Sequence, residues 1–277
     1  MYSRQPTLSL EVLKNLYSKK HLSTWKIAEM AGVSRSHVRT LLQRYCIPIR
    51  TSAEAHRQYE RKPFDGSEED RAYLLGFAIG DLRVRRQHKG GETIGIACSS
   101  THSAQISLIY NLFSPYGRVW IGKENSKGVV AIEAFVDLSF SFLLKKTRNI
   151  EWVFRKESHF YAFLAGFTDA EGSICVTRQG KMILAWGQYD QNLLQKIHDA
   201  LQVFGYRVGN VRSDHLAGYQ GKDGYIRNKD YHHLVCAARE SLLKLLIALK
   251  SYIRHDEKKA KSKLIRAKLE KALKISL

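Results

Sequence analysis

Long hydrophobic runs are missing from this sequence. No stretch approaches the roughly 18 uninterrupted apolar residues that a membrane-spanning helix needs, and the opening MYSRQPTLSLEVL lacks the apolar core of a signal peptide. We therefore expect an intracellular protein with no membrane partner. A core can still form, because 44% of the residues are hydrophobic and 10% are aromatic.

Cysteine is also scarce. The four cysteines, Cys46, Cys98, Cys175 and Cys236, lie far apart and form no CxxC pair. This spacing excludes an ordinary zinc finger and gives no reason to infer a disulfide framework. We expect free and mostly buried thiols.

Acidic residues are few relative to basic ones. The chain has 26 Asp and Glu against 45 Lys and Arg, which gives a net charge of +19. Such an excess indicates a polyanionic partner, either nucleic acid or an anionic membrane surface. A membrane-binding protein would concentrate its charge on one amphipathic helix with bulky apolar anchors, whereas here the charge is spread along the chain. The composition therefore favours nucleic acid.

Residues 1–62 have the pattern of a separate helix-turn-helix module. Ser23 can cap a first helix, Gly32 permits a tight turn, and Ser34 can cap a second helix. The second helix would bury one face and offer the other to the major groove of DNA. The buried face is Val38, Leu41, Leu42 and Tyr45, and the exposed candidates for DNA binding are Arg35, Ser36, His37, Arg39 and Thr40. The alternative is a plain helical hairpin that packs on the rest of the protein.

The polar segment Arg50–Lys62 is typical of a linker, and the chain beyond it contains an internal duplication. Residues 72–81 (AYLLGFAIGD) and 162–171 (AFLAGFTDAE) align without gaps, so a first repeat over 63–154 and a second over 155–277 are predicted. After each motif come strand-like and helix-like runs. Their pattern predicts an α+β fold in which an αββαββα unit occurs twice, after a small all-α domain.

The two aligned segments share small residues four positions apart. Gly76 and Gly80 lie on one face of a helix, as do Gly166 and Ala170. Small residues at this spacing let two helix backbones approach closely. The acids that end the two segments, Asp81 and Glu171, would then meet and could hold a hard divalent cation such as Mg²⁺. The alternative is two buried helices that end in acids without any further role.

Leu164–Gly172 (LAGFTDAEG) resembles the signature helix of LAGLIDADG homing endonucleases, and Leu74–Asp81 resembles a second copy. The resemblance covers about three quarters of the chain. It implies a monomer with internal pseudo-twofold symmetry whose strands form a saddle on double-stranded DNA. The implied activity is a site-specific double-strand break that depends on Mg²⁺, with Mn²⁺ as a substitute. The family pattern has glycine immediately after the acid. The second copy keeps this glycine as Gly172, whereas the first copy has Leu82.

The resemblance also implies roles for individual residues. Asp81 and Glu171 would be catalytic metal ligands, with Gly80 and Ala170 at the same metal site. Gln188 matches a polar position near the reacting water, and Lys258 and Lys146 match basic positions near the scissile phosphate. For both lysines an ordinary solvated or phosphate-contacting role is an equal alternative.

Residues that follow each motif are candidates for reading DNA. Arg83 and Arg85 would lie on one face of a strand, where arginine suits the major-groove edge of guanine. The full set of candidates after the motifs is Arg83, Arg85, Arg86, Thr177, Arg178, Gln179 and Lys181. The alternative for this set is unspecific phosphate binding. The last segment, Lys250–Lys274, is predicted to be a packed helix through Leu264, Ile265, Leu269 and Leu273.

Two other functions remain open at this point. Transcriptional regulators combine a fold of this type with a helix-turn-helix in the reverse order, and they typically lack the catalytic acids, both of which are present here. An intron RNA maturase would also suit the basic composition, and no sequence feature excludes it.

Overall fold

Two hydrophobic cores organise the chain, and they share no residue. The structure, a computed structural model, describes residues 8–50, 59–145, 148–221, 224 and 226–274. Its contacts separate the chain into the units Met1–Glu60 and Arg61–Leu277. Most of the predicted linker, residues 51–58, lies outside the described residues. At its two ends, Arg50 is bonded into the first unit through Tyr17 and Lys62 into the second through Tyr116.

The first unit is all-helical. Leu10–Leu13 continues into a π-helix over Lys14–Lys19, and the helices Thr24–Ala31 and Arg35–Arg44 follow. Ser23 accepts a hydrogen bond from the Lys26 amide and Ser34 accepts one from the His37 amide, so each caps its helix. Gly32 has a φ of +64°, a left-handed conformation that glycine adopts without strain. The predicted caps and turn are confirmed.

The second helix of this pair has the predicted buried face, with one correction on the opposite side. Val38, Leu41 and Leu42 are buried and Tyr45 is half-buried. His37 was expected to be exposed, but it is half-buried. The reason is helical periodicity: His37 stands one turn before the buried Leu41 and therefore lies at the edge of the packed face.

In the second unit each repeat starts with a long helix and continues as a four-stranded antiparallel sheet. The first motif helix is Glu68–Gly80 and the second is Glu157–Glu171. The first sheet has the order β1-β2-β4-β3 and the second the order β5-β6-β8-β7, so the two topologies are equivalent. The strands are β1 Arg83–Arg86, β2 Ile94–Ser100, β3 Arg118–Ile121, β4 Val130–Val136, β5 Gly172–Val176, β6 Met182–Gln188, β7 Arg212–Asp214 and β8 Tyr231–Cys236.

A helix packs behind each sheet and covers its apolar face. Ser103–Phe113 follows β2 and Gln191–Val203 follows β6, where helix-like runs were predicted after each motif. The alternation of buried and exposed residues along β4 shows why the sheets form, since only one face of each is apolar. The predicted α+β fold, with two equivalent repeats and a small helical domain, is confirmed.

The repeats differ in how they end. The second closes on the helices Arg239–Leu249 and Asp256–Lys274, whereas the first closes on two 3₁₀-helices, Leu138–Leu143 and Glu151–Arg155. The predicted closing α-helix of the first repeat is therefore wrong in detail. The chain has only residues 137–156 in which to pass from β4 to the second motif helix, and short 3₁₀ turns fit that connection.

The terminal helix Asp256–Lys274 begins later than predicted and buries a narrower face. Ile265 and Leu269 are buried and Leu273 is half-buried, but Leu264 is 57% exposed. Within the described residues every helix is too short or too polar to cross a membrane. The cysteines are all free thiols as expected, but of the four only Cys236 is buried.

The two motif helices pack against each other through reciprocal contacts between their backbones. A Cβ added to Gly76 would lie 2.0 Å from the Phe163 carbonyl oxygen, and a Cβ added to Gly166 would lie 2.0 Å from the Tyr73 carbonyl oxygen. Glycine is therefore required at both positions. Because each contact is the counterpart of the other, a pseudo-twofold axis passes between the helices.

We predict that Gly76→Ala destabilises the protein, although alanine favours an isolated helix by about 1 kcal/mol. Overpacking against a backbone that cannot rotate away costs about 1–3 kcal/mol. The free energy of unfolding in urea measures the effect. Gly209→Ala is the control, because its added Cβ would meet nothing closer than 3.5 Å. Equal stability of both variants would show that the helices separate easily.

Candidate metal centre and nucleic-acid surface

The motif helices end in contact with each other. A Cβ on Gly80 would lie 2.4 Å from the Cβ of Ala170 and 2.8 Å from the Cγ of Glu171. Asp81 caps the first helix, its amide donating to the Phe77 carbonyl, while Glu171 is the last residue of the second helix. The first helix thus ends one residue earlier than the second, at the place where Leu82 stands instead of glycine. The close approach brings the two carboxyl groups together.

The Asp81 carboxylate is half-buried and lines a cleft between β2 of the first repeat and the start of the terminal helix. Its Oδ2 accepts a hydrogen bond of 2.5 Å from Nε2 of Gln105. Burial raises the pKa of Asp81, while the charge of Lys258 and the bond from Gln105 oppose the rise. The same burial and the charge of Asp81 raise the pKa of the neighbouring Cys98 thiol to about 11. Gln105 was not among the predicted site residues. The one feature of the sequence that could have indicated it is its position shortly after β2.

Glu171 shares the electrostatic environment of Asp81. Burial raises its pKa, the negative charge of Asp81 raises it further, and the positive charge of Lys258 lowers it. Two like charges in one partly desolvated place repel each other. The pair therefore costs free energy when both groups are ionised, and a cation between them would relieve that cost.

Lys258 reaches the end of the second motif helix. Its Nζ donates to the carbonyl oxygens of Thr168, Asp169 and Ala170 at 2.8, 2.7 and 3.3 Å. Three donors on three carbonyls use all the hydrogens of the ammonium group, and the position complements the negative end of the helix dipole. Burial lowers the pKa of Lys258, while Asp169, Asp81 and Glu171 oppose the change. The lysine thus acts on the acids by charge while the Ala170 carbonyl is already occupied.

A buried carboxylate that the sequence analysis missed lies behind this arrangement. Asp169 is fully buried, and its Oδ2 accepts from the Tyr73 hydroxyl at 2.7 Å and from the amides of Arg254 and His255 at 2.6 and 3.1 Å. These bonds tie both motif helices to the segment that leads into the terminal helix. Asp169 thereby fixes the position from which the Lys258 side chain extends toward the end of the second motif helix.

Each acid opens on a cleft of its own. The cleft beside Asp81 has a volume of about 340 Å³, and on one wall the basic Lys258 and Lys261 stand beside Glu257. The cleft beside Glu171 has a volume of about 490 Å³ and an aromatic wall formed by Tyr189, Tyr219 and Tyr231. Gln188 lines this second cleft, and its Oε1 accepts from the Tyr189 amide at 2.8 Å. The two halves are equivalent in backbone but differ in the chemistry of their walls.

The candidate DNA-reading residues do not all lie in strands. Arg83, Arg85 and Arg86 form β1 and are exposed, with Arg83 and Arg85 on one face. Thr177–Lys181 forms the turn between β5 and β6, closed by a bond from the Thr177 amide to the Lys181 carbonyl. The arginines therefore occupy a sheet surface, whereas Arg178 and Gln179 occupy an exposed loop tip. The positions of β5 that correspond to Arg83 and Arg85 hold Ser173 and Cys175.

In the helical unit, Arg35, Ser36, Arg39 and Thr40 are exposed on the second helix. Arg35 donates to the Thr24 hydroxyl at 3.3 Å, and Thr40 donates back to the Ser36 carbonyl at 3.1 Å. Arg39 projects from the same helix. Lys146, a predicted catalytic residue, lies outside the described residues.

Two family models match parts of the chain. The model of the LAGLIDADG-like domain matches residues 161–246, within the second repeat, and that of an uncharacterised protein family (UPF0175) matches residues 3–60. No curated protein matches this chain.

Solved structures resemble the chain at low identity. The N-terminal LAGLIDADG domain of DUF199/WhiA is 21% identical with a TM-score of 0.45, over 68% of this chain and 86% of that one. Mesophilic variants of the homing endonuclease I-DmoI are 16% identical with a TM-score of 0.46, over 68% and 98%. I-DmoI in complex with DNA and Ca is 15% identical with a TM-score of 0.46, over 66% and 90%.

We predict that Asp81→Asn raises the stability of the metal-free protein at neutral pH. Burial raises the pKa of Asp81 above its ordinary value of 3.8, so the folded state holds its proton more tightly than the unfolded state. Stability is therefore lost as pH rises through the raised pKa, and asparagine avoids that loss. Below about pH 3.8 the two proteins should converge. Urea unfolding at several pH values measures this.

The same unfolding series with Mg²⁺ tests the metal site without any catalysis. A ligand that binds only the folded state stabilises it, so Mg²⁺ should stabilise the natural protein and leave an Asp81→Asn/Glu171→Gln variant unchanged. The exposed Glu270→Gln variant should respond like the natural protein. An equal response of all three would place the cation elsewhere.

Proposed function

We propose that this protein is a divalent-metal-dependent endonuclease of the homing type that cuts both strands of duplex DNA at a specific site. The observation that carries the proposal is the glycine-mediated pairing of the motif helices, which sets Asp81 beside Glu171. In a chain with a net charge of +19, two adjacent half-buried carboxylates stand out, because they oppose the binding of a polyanion unless a cation covers them.

The donor set suits Mg²⁺ and, next to it, Mn²⁺. Both prefer oxygen ligands, and Asp81 and Glu171 supply them. Among the described residues no group of three or more His, Cys, Asp and Glu side chains is arranged to hold a metal ion, so a cation at this place would have the two carboxylates as its protein side-chain ligands. Mg²⁺ keeps several waters and commonly binds through one or two carboxylates plus a phosphate. When bound, such a cation neutralises the scissile phosphate and makes water a better nucleophile.

The protein's own residues prepare this centre. Gln105 fixes the orientation of the Asp81 carboxylate, and the charge of Lys258 favours the ionised form of both acids. The two separate clefts, one beside each acid, would give each DNA strand an acid of its own. The basic wall at Lys258 and Lys261 would attract a phosphate on the Asp81 side.

Affinity for DNA would come from other surfaces. Arg83, Arg85 and Arg86 on the first sheet and the turn Thr177–Lys181 of the second repeat would contact the duplex. The helix Arg35–Arg44 of the small unit would add contacts beside the cut. Binding and cleavage are thus assigned to different residues and can be separated by mutation.

We predict that Asp81→Asn or Glu171→Gln abolishes double-strand cleavage and leaves DNA affinity largely intact, because each carboxylate serves the metal and the basic residues serve binding. The assay is cleavage of duplex DNA that spans the genomic insertion site, with Mg²⁺. Binding is measured in Ca²⁺, which shares the oxygen preference but tolerates longer bonds and looser geometry. Ca²⁺ should support binding without efficient cleavage.

The exposed Glu270→Gln variant is the control and should cut normally. Full cutting by either active-site variant, or cutting in excess EDTA, contradicts the assignment of the acids. Tight binding by the natural protein without cleavage in Mg²⁺ or Mn²⁺ would instead make it a DNA-binding regulator.

We predict that Arg39→Ala weakens DNA binding and makes its salt dependence shallower. Each lost phosphate contact lowers the slope of log K against log salt concentration by about 0.9. A salt titration with a footprint measures the slope and the protected length, and Lys244→Ala, an exposed lysine on the helix Arg239–Leu249 of the larger unit, is the control. An unchanged slope and footprint would make the helical unit a packing module.

A further inference from the structure

An acid lies in the middle of the surface that should face DNA. On the exposed face of the first sheet, Arg83 of β1 and Glu133 of β4 flank Ala97 of β2, and Trp120 of β3 follows Glu133. Residues opposite each other in an antiparallel sheet share a face. Glu133 therefore stands among groups that would attract or contact DNA, although a carboxylate there repels phosphate.

Glu133 is bonded to two neighbours that both reach it from the edge of the sheet. Its Oε1 accepts from Nη2 of Arg85 at 3.1 Å and from Nε2 of Gln87 at 2.8 Å. The side chain of Glu133 is 20% exposed and that of Arg85 is 52% exposed. The carboxylate thus lies deep in the surface while the guanidinium remains open to a ligand.

A glycine makes this arrangement possible. Gly95 of β2 lies opposite Arg85, and a Cβ there would stand 2.3 Å from Nε2 of Gln87 and 3.0 Å from Oε1 of Glu133. Any side chain at this position would close the path along which Gln87 reaches the acid. Glycine in the middle of a strand weakens the strand. Gly95 therefore permits the three-residue cluster at a cost in the stability of the sheet.

We propose that Glu133 is a positioning residue that holds Arg85 and Gln87 as a base-reading pair, Arg85 for guanine and Gln87 for adenine. The inference rests on the DNA-binding part of the proposed function. A free arginine has many rotamers, and a fixed fork loses less entropy when it binds. With one N–H on Glu133, Arg85 keeps donors for the O6 and N7 atoms of guanine. Gln87 keeps its carbonyl oxygen and one N–H, the pair that reads adenine.

Stability does not explain the cluster. An ion pair in which one partner is as exposed as Arg85 contributes little to folding. On a surface for DNA the acid also lowers affinity for every sequence, because it opposes the phosphates. Its effect is favourable only if it improves discrimination between sequences. The second sheet has Val235 at the equivalent place, opposite Ala185 in the register in which Glu133 lies opposite Ala97, so this cluster belongs to the first repeat alone.

The test is selection of bound sequences from a randomised duplex library by the full chain in Ca²⁺. Glu133→Ala should raise affinity for unrelated DNA but lose discrimination at adjacent base pairs of the site by roughly 5- to 100-fold. Gly95→Ala should lose preference only at the base pair read by Gln87. Glu133→Gln, which retains an acceptor oxygen, should keep most of the preference. Glu124→Ala, an exposed acid after β3, should raise affinity without any change of preference.

The same base preferences in Glu133→Ala and in the natural protein would overturn the inference, as would a natural protein that selects no sequence. A merely structural role would change the preferences of Glu133→Gln and Glu133→Ala alike, which also contradicts it. The outcome is independent of cleavage. If the protein selects a site through Glu133 but never cuts in Mg²⁺, the inference about Glu133 stands and the proposed endonuclease activity is contradicted.

Discussion

The contact between the two motif helices is the constraint on which the rest of the larger unit depends. At Gly76 and at Gly166, a backbone carbonyl of the other helix occupies the space that a side chain would need. Helices this close cannot slide, because a shift of one residue would put Phe77 or Phe167 where glycine is needed. The fixed register decides that Asp81 meets Glu171 at the axis.

The far end of the chain depends on the same contact. Asp169 of the second motif helix is buried. Its carboxylate accepts hydrogen bonds from the Tyr73 hydroxyl of the first motif helix and from the amides of Arg254 and His255. A buried carboxylate is costly unless it is bonded, so these donors must be in place when the unit is folded. The terminal helix then begins in one position, and Lys258 arrives at the carbonyl end of the motif helix.

Pseudo-symmetry in this protein is a property of the backbone and not of the chemistry. Ser100 of β2 pairs with Val130 in the register in which Gln188 of β6 pairs with His232. The first repeat thus has a hydroxyl where the second has an amide, and the walls of the two clefts also differ. A backbone that repeats lets both halves approach equivalent phosphates, while different side chains allow them to recognise different bases.

Much of this was determined by the sequence alone, because the interactions concerned are local or repeated. The caps Ser23 and Ser34 act within one helical turn. The duplicated small-residue pattern predicts the paired helices, and the acids follow at the same place in both copies. The alternation along β4 and the helices behind the sheets are likewise periodic signals that a single sequence carries.

Tertiary structure alone decided the contacts between distant segments. Gln105 and Leu193 are each the third residue of the helix behind their sheet, and both are buried, yet Gln105 donates to Asp81 while Leu193 packs in the core. Helical periodicity marks both positions as inward-facing and does not distinguish the polar role from the apolar one. Likewise, no periodicity marks Asp169, or Glu133 beneath Arg85. Their partners are far away in the chain, and only the packing of strands and helices brings them within bonding distance.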